Sequence, residues 1–353
     1  MVILSILCNR SNAKISINHM QTFKLILLSL FTAQFCTAQN EVKYLPEHKG
    51  NWKSSVVINE SFTPYKITAE EKRILLQKTG SATQLVKDFP DFISPRGMEM
   101  LAAVRLKHME DEDKAKLKST TPLPLELSIS LADYFNENGK IRVSSNTGLH
   151  SYINLFFNNP AAALNKYELF YGGLHDQWGQ QLYFEPMVFK AYENAIVFSN
   201  HRMLLIPPGK KLWVPVTAKQ YLEAQLFHNE QKIKSGSNDL QMVYNDIKKE
   251  LKDLPAEDHN KPAYYNSEFT DKLSQLSLEK TPGTTAIVKL NPAYFDLSKP
   301  RTSFQLLVIE LGFAAYDYSE PILKNDERYS NNQVQLYNFF SKFDFSRFKT
   351  LLD

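Results

Sequence analysis

Nine consecutive residues, Tyr171-Gly172-Gly173-Leu174-His175-Asp176-Gln177-Trp178-Gly179, with Glu185 shortly after them, form the densest set of groups in this 353-residue chain that could do chemistry. His175, Asp176 and Glu185 have the side-chain types needed for acid, base or metal-ligand work. Tyr171 and Trp178 offer flat faces on which a sugar or an aromatic ligand could stack. Gly172 and Gly173 would let a ligand approach the backbone closely. If the chain is an enzyme, His175, Asp176 and Glu185 are its expected catalytic residues, and the expected reaction is hydrolysis, for instance of glycans, for which a pair of carboxylates is the minimum. Tyr171 and Trp178 are the expected ligand-binding residues. The same residues also suit a plain hairpin turn in which the glycines bend the chain, Asp176 caps it and Trp178 packs in the core.

Elsewhere the chemistry is sparse. No nucleophile elbow, zinc-protease pair, phosphate loop or dinucleotide fingerprint occurs. The seven histidines beyond residue 39 never lie two to four positions apart, so no local metal pair is expected, and no cofactor is. Glu110 to Asp113 is an acidic run followed by Lys114 and Lys116, which reads as a solvated helix face; a calcium loop would need a glycine turn and spaced oxygens. Glu310 sits inside the apolar run Leu306 to Leu311, where a carboxylate needs a partner. It is read either as a perturbed functional acid or, more simply, as a residue that faces the sheet edge or pairs with a Lys or Arg. His201-Arg202 is read as an anion site or a turn.

Residues Gln21 to Asn40 carry a different kind of information. Lys24 precedes an apolar stretch from Leu25 to Phe35, and Cys36 and Ala38 supply a small-x-small pattern. These are the parts of an export signal, with cleavage expected after Ala38 or Gln39. The stretch falls short of the roughly 20 apolar residues that cross a bilayer, so no stable membrane anchor is expected. Phe35 stands where lipidated signals carry a small residue, which disfavours acylation of Cys36. Met20 begins a leader of ordinary length, so residues 1–19 are either a spurious extension or a long positive region.

Residues 1–39 hold three of the 41 basic residues, Arg10, Lys14 and Lys24, and none of the 38 acidic ones. The remainder therefore balances 38 against 38, and nothing predicts capture of nucleic acid or an anionic membrane. Both cysteines, Cys8 and Cys36, also fall in this leader. A mature chain without them excludes disulfides, thiolate metal sites and a cysteine nucleophile.

The elements that must position these groups are read from periodicity. Residues 40–121 are expected to be a mainly helical region. Thr68 and Glu71 form a capping box before Ile74, Leu75 and Leu76. Ser94-Pro95 announces a second helix through Met98, Leu101, Ala102 and Met109. Thr120 to Pro124 is the candidate boundary, and 122–353 the expected α+β domain, either separate or joined to 40–121. Alternation from Leu125 to Leu131 predicts a strand, Asn138-Gly139 a turn, and Ile141 and Val143 a return strand. Short strands are expected at Tyr167 to Tyr171, Gln181 to Phe184, Val188 to Lys190, Ala195 to Phe198 and Arg202 to Ile206. Thr217 to Gln220 is a second capping box, and two helices, one from Ala218 and one over Leu240 to Leu254, predict an αα-hairpin. Phe269, Leu273 and Leu276 suggest a short helix. Strands follow at Thr284 to Leu290 and Ser303 to Leu311, the second central and covered on both faces. Helices are expected at Gln333 to Phe343 and Ser346 to Leu352. The expected fold is α+β, a mainly antiparallel sheet with an αα-hairpin and C-terminal helices packed on it.

The segment Trp213 to Leu222, the leader ending Thr37-Ala38-Gln39-Asn40 and the richness in Asn, Lys and Phe resemble uncharacterised exported proteins of Bacteroidota. That resemblance implies export to the periplasm or beyond and carries no activity. Trp213 is expected to pack beneath the αα-hairpin. Two functions stay open: a non-enzymatic periplasmic or secreted protein that binds a protein or small-molecule ligand through aromatic surface, and the hydrolase described above.

Overall fold

The computed structural model describes residues 43–56, 67–106, 121–144, 151–164, 169, 173–186, 188–192, 195–198, 202–207, 209–268, 272–312 and 331–353. The expected leader at 1–39 lies outside them, with Cys8 and Cys36. So do Glu110 to Asp113, Tyr171, His201, Phe269 and all of the strand expected at Tyr167 to Tyr171 except Leu169. No described helix is long and apolar enough to cross a membrane.

Among the described residues, β1 (Lys43–Tyr44) and β2 (Asn51–Val56) precede α1 (Ala69–Lys87), the single turn α2 (Pro90–Ile93) and β3 (Met98–Leu106). β2 and β3 pair in parallel. Parallel neighbours need a crossover, which α1 supplies. It starts at the expected capping box: the Glu71 amide donates to Thr68 Oγ1, and the Thr68 amide donates to the Glu71 carboxylate. The helix expected after Ser94-Pro95 is instead β3. Its buried side chains, Met98, Met100, Ala102, Val104 and Leu106, recur every second residue. Met98, Leu101 and Ala102 also fit helical spacing and favour helix, so pairing with the neighbouring strands overrode local propensity.

β3 continues antiparallel into β4 (Leu125–Glu137). The connector at Thr120 to Pro124 therefore does not separate a helical region from a sheet. Leu123 within it is buried and its amide donates to the Arg301 carbonyl at 2.8 Å. Residues 44–134 and 143–353 form one compact unit. A second unit includes Phe135–Arg142, the tip leading into β5 (Lys140–Val143). There Asn138 and Gly139 take positive φ of 53° and 77°, and Asn136 Oδ1 accepts from the Gly139 amide at 2.8 Å. Only a residue tolerant of positive φ can follow Asn138 in such a turn.

The chain goes on through β6 (Ser151–Phe157), the turn α3 (Ala161–Leu164), β7 (Leu174–His175), β8 (Gln181–Phe184), β9 (Val188–Tyr192), β10 (Ala195–Phe198), β11 (Arg202–Leu205) and β12 (Trp213–Pro215). Then come α4 (Ala218–Lys234), α5 (Gln241–Asp253), β13 (Tyr264–Asn266), β14 (Leu276–Ser277), β15 (Thr284–Leu290), β16 (Leu307–Gly312), α6 (Asn331–Lys342) and a 3-10 run, Phe345–Leu351. The helix expected around Leu273 and Leu276 is not formed there; Leu276 lies in β14.

A large sheet runs β2-β3-β4-β6-β16-β11-β10-β9, and a smaller one runs β14-β13-β15-β8-β7 with β12 beside β15. The ladders from β3 to β9 are antiparallel. The fold is α+β with mixed and antiparallel sheets. β16 is central and buried along its whole length, as its apolar run predicts.

Three apolar clusters hold these layers together. One face of the large sheet packs on α1 and the phenylalanines of α6 and the 3-10 run. Phe339 stacks on Phe343 at 4.5 Å between ring centroids and on Phe92 at 5.3 Å. The opposite face, through Phe156, Leu204 and Val308, meets Tyr183 and Val288 of the small sheet. Trp213 belongs to this inter-sheet layer and not beneath the αα-hairpin. The far face of the small sheet is covered by α4 and α5, with Tyr221, Leu222, Ala224 and Ile247 inside.

Candidate functional site

The β7–β8 hairpin carries the residues singled out by the sequence. His175 pairs with Gln181 and Leu174 with Leu182. Between them the chain turns on Asp176. Its Oδ1 accepts from the amides of Trp178 and Gln180, at 2.9 and 2.8 Å. Its amide donates to the Gln180 carbonyl, and its carbonyl accepts from Gly179. Asp176 is buried, and its carboxylate is committed to holding the turn. His175 is half-buried, and Glu185 is exposed.

This arrangement does not assemble the expected catalytic trio. Glu185 continues the ladder with β15, its amide donating to the Ala286 carbonyl. It stands four residues beyond Gln181, the partner of His175, so at 3.3 Å per residue the two are about 13 Å apart along the strand. Asp176 lies opposite Gln180, which puts its carboxyl end farther still from Glu185. Glycosidic carboxylates work at roughly 5 to 9.5 Å. Spacing in the sequence conceals this, because in an extended strand every residue adds its full rise.

The hairpin instead presents Trp178. Its side chain is 66% exposed, contrary to the core position that a plain turn suggested for it. Beside it lies a hollow of about 10 Å³ lined by Leu182, Gln220, Glu223 and Lys289, among others. That is room for about one water, so a ligand would lie across the indole and reach these polar ends from outside. Gln220, at the first turn of α4, is placed by the second capping box: its amide donates to Thr217 Oγ1 and its side-chain oxygen accepts from the Thr217 amide, both at 3.3 Å. Sequence reading found Thr217 and Gln220 as a cap but had no means of bringing them to Trp178.

Two titratable groups nearby are perturbed. His228 of α4 is held below the usual histidine range, first by burial and then by electrostatic interaction with Lys232 and His175. Tyr221 is pushed far up by burial, and its hydroxyl donates to the Ser274 carbonyl at 2.9 Å. Among the described residues no group of three or more His, Cys, Asp or Glu could hold a metal ion.

Glu310 has a structural partner. Arg202, opposite it across β11 and β16, donates from Nε at 2.9 Å and from Nη2 at 2.5 Å to Glu310 Oε1. Arg202 Nη1 also donates to the Ala162 carbonyl at 2.7 Å. Asn154 reaches Glu310 Oε2 at 3.4 Å, and Ser128 Oγ donates to Asn154 Oδ1 at 2.7 Å. A polar ladder thus crosses β4, β6, β16 and β11 in one row. In the next row the Tyr152 ring lies over Gly312, where a Cβ would come within 1.8 Å of it. The Tyr152 hydroxyl is held above its ordinary range by burial and by the negative Glu310.

A third feature is a groove of about 550 Å³ between α5 and the β13–β14 segment. On one wall stand Asp246, Lys249, Glu250 and Asp253, at i, i+3, i+4 and i+7 of α5. On the other stand Lys272, Leu273, Leu276 and Leu278, and Asp258 also lines the groove. The chain matches no protein-family model, no characterised protein and no solved structure.

Proposed function

We propose that this chain is exported, loses its leader near residue 39, and acts in the periplasm or outside the cell as a binding protein without catalysis, engaging its ligand across Trp178. Export rests on the pattern Lys24, Leu25 to Phe35, Cys36 and Ala38 in the sequence. Binding rests on one observation: an indole that is 66% exposed is held up by a turn that Asp176 fixes, its Oδ1 accepting from two backbone amides of the turn. Burying a large apolar side chain is worth about 1.5–3 kcal/mol, and this fold forgoes that at Trp178 while spending four hydrogen bonds on the turn. Tryptophan on a rigid support is the kind of residue that carries binding energy at contacts. The amide of Gln220, the carboxylate of Glu223 and the ammonium of Lys289 beside it suit a ligand with a flat or apolar face and hydrogen-bonding edges, such as a glycan.

The test is a screen of glycans and cell-wall fragments read by tryptophan fluorescence and thermal shift. Trp52 and Trp213 are half-buried, so Trp178 dominates the quenchable emission. A ligand at 100 times its Kd raises stability by about 2.7 kcal/mol. It is expected to shift Trp178 emission to the blue, and Trp178→Ala is expected to abolish both signals. A thermal shift that survives Trp178→Ala would remove the site from Trp178. Turnover of the ligand would replace binding by catalysis.

A further inference from the structure

We infer that the site at Trp178 takes an acidic sugar, a uronate ring whose carboxylate pairs with Lys289; this rests on the binding reading above and narrows its ligand. Among the described residues the charged side chains lining the hollow beside the indole are Asp176, Glu223 and Lys289. Both carboxylates have partners within the chain. Asp176 Oδ1 accepts from the amides of Trp178 and Gln180, and Glu223 lies 3.8 Å from the ammonium of Lys219, one turn before it on α4. The Lys289 ammonium makes no ion pair or hydrogen bond with another described residue. The charge left for a ligand to answer is therefore positive.

The sheet fixes where that charge stands. Lys289 lies opposite Leu182 of β8 and Val214 of β12, and Leu182 lies opposite Leu174 of the hairpin. Leu174, Leu182 and Ile287 pack towards α4 and α5. Lys289, two residues beyond Ile287, shares their face of the sheet, and it is half-buried there. An ammonium so placed is screened less by water and salt than one in the open, so it attracts an anion more strongly.

The other edges of the hollow suit the hydroxyls of the same ring. Gln220 and Glu223 are three residues apart, about 4.5 Å along α4. The Gln220 side-chain oxygen is used on the Thr217 amide, which leaves its Nε2 to donate, while the Glu223 carboxylate accepts. A sugar ring lying flat on the indole would offer neighbouring hydroxyls to these two groups and its carboxylate to Lys289. Glu223 also favours a carboxylate over a phosphate. A phosphate carries nearly two charges, and here a single ammonium would have to answer both beside a like charge.

The experiment titrates the full chain with oligomers of galacturonate and of glucuronate and with their methyl esters, read by Trp178 fluorescence and by calorimetry. The esters keep the rings and neutralise the carboxylates. At least one uronate oligomer is expected to bind about tenfold more tightly than its ester, the scale of one charge-assisted hydrogen bond. Added salt should weaken the acid and not the ester. Lys289→Met keeps the stem and removes the charge, so it should bring acid and ester to within about twofold, whereas Lys289→Arg should keep most of the preference. Equal binding of acid and ester, or a preference that survives Lys289→Met, would overturn the inference and leave Trp178 as the site if Trp178→Ala still abolishes binding. No binding of either uronate oligomer would also overturn it. Binding that survives Trp178→Ala would overturn the reading beneath it as well.

Discussion

Arg202 and Glu310 lie at the centre of the large sheet, and Asp246, Glu250 and Asp253 stand on the open wall of α5; both are groups of charges, and the fold treats them oppositely. The first pair is nearly out of reach of water, with 3% and 8% of each residue exposed. Its hydrogen-bonding positions are taken by Ala162, Asn154 and each other. The second group has water for its main neighbour. In the interior a carboxylate survives only when it is fully partnered, so it reports on folding. On the surface a carboxylate without a partner costs little, so it is available to a ligand. Charge alone therefore says little about function, and whether its partner lies within the chain says more.

The largest expected effect comes from breaking the interior pair. Glu310→Ala leaves Arg202 buried without its counter-charge, which should cost about 3–5 kcal/mol in chemical denaturation. Replacing both partners, Arg202→Met with Glu310→Leu, should recover most of that loss. If the double variant is as unstable as the single one, the ladder through Asn154 and Ser128 is fixing strand alignment and not merely neutralising a charge. Next in size is Gly312→Ala. A Cβ 1.8 Å from the Tyr152 ring cannot be accommodated, so the ring must move off the sheet, at about 1–3 kcal/mol.

The same division explains what could be read from the sequence. Local signals were legible: β8 at Gln181–Phe184, β10 at Ala195–Phe198 and β15 at Thr284–Leu290 fall where alternation and turns put them. Both capping boxes, at Thr68 and Thr217, form as their spacing requires. Glu310 could be read as needing a cation, but Arg202 is its partner through a cross-strand register spanning 108 positions, which no local pattern carries. β3 was hidden because Met98 to Leu106 fits both periods, and only a parallel neighbour, β2, decides between them. The groove was hidden for a related reason. The carboxylates of α5 are plain at i, i+4 and i+7, with Lys249 at i+3, but the opposite wall comes from residues 272–278, where Leu273 and Leu276 suggested helix and the chain instead forms a turn and β14. Trp178 could be placed in a turn, but its exposure depends on what packs around the turn.

His228 lies between the two regimes, half-buried and near Lys232 and His175. Its folded form resists protonation, whereas in the unfolded chain it takes a proton near pH 6.5. The unfolded state therefore binds more protons below that value, so stability should be level above about pH 6.5 and fall as the pH drops beneath it. Melting temperatures between pH 7 and 5.5 should show that slope, and His228→Gln should flatten it. A slope unchanged in the variant would assign the effect to another histidine and leave the interior of α4 indifferent to His228.

The smallest expected change is close to zero. Combining Asp246→Asn, Glu250→Gln and Asp253→Asn removes the repulsion of Asp246 and Glu250 at i, i+4 and an anion from the end of α5, but also the attraction of Lys249 to Asp246 three residues before it and to Asp253 four residues after it, so denaturant melts should move by no more than about 0.5 kcal/mol. An interior pair that is lost at several kcal/mol and a surface stripe whose loss is nearly neutral would be the two ends of one rule. A stripe kept for stability must cost something when it is removed; a stripe kept for a ligand need not, because its contribution appears only when the ligand is bound. A destabilisation of more than about 1 kcal/mol would mean that these carboxylates hold α5 in place, and the contrast with Arg202 and Glu310 would collapse into a difference of degree.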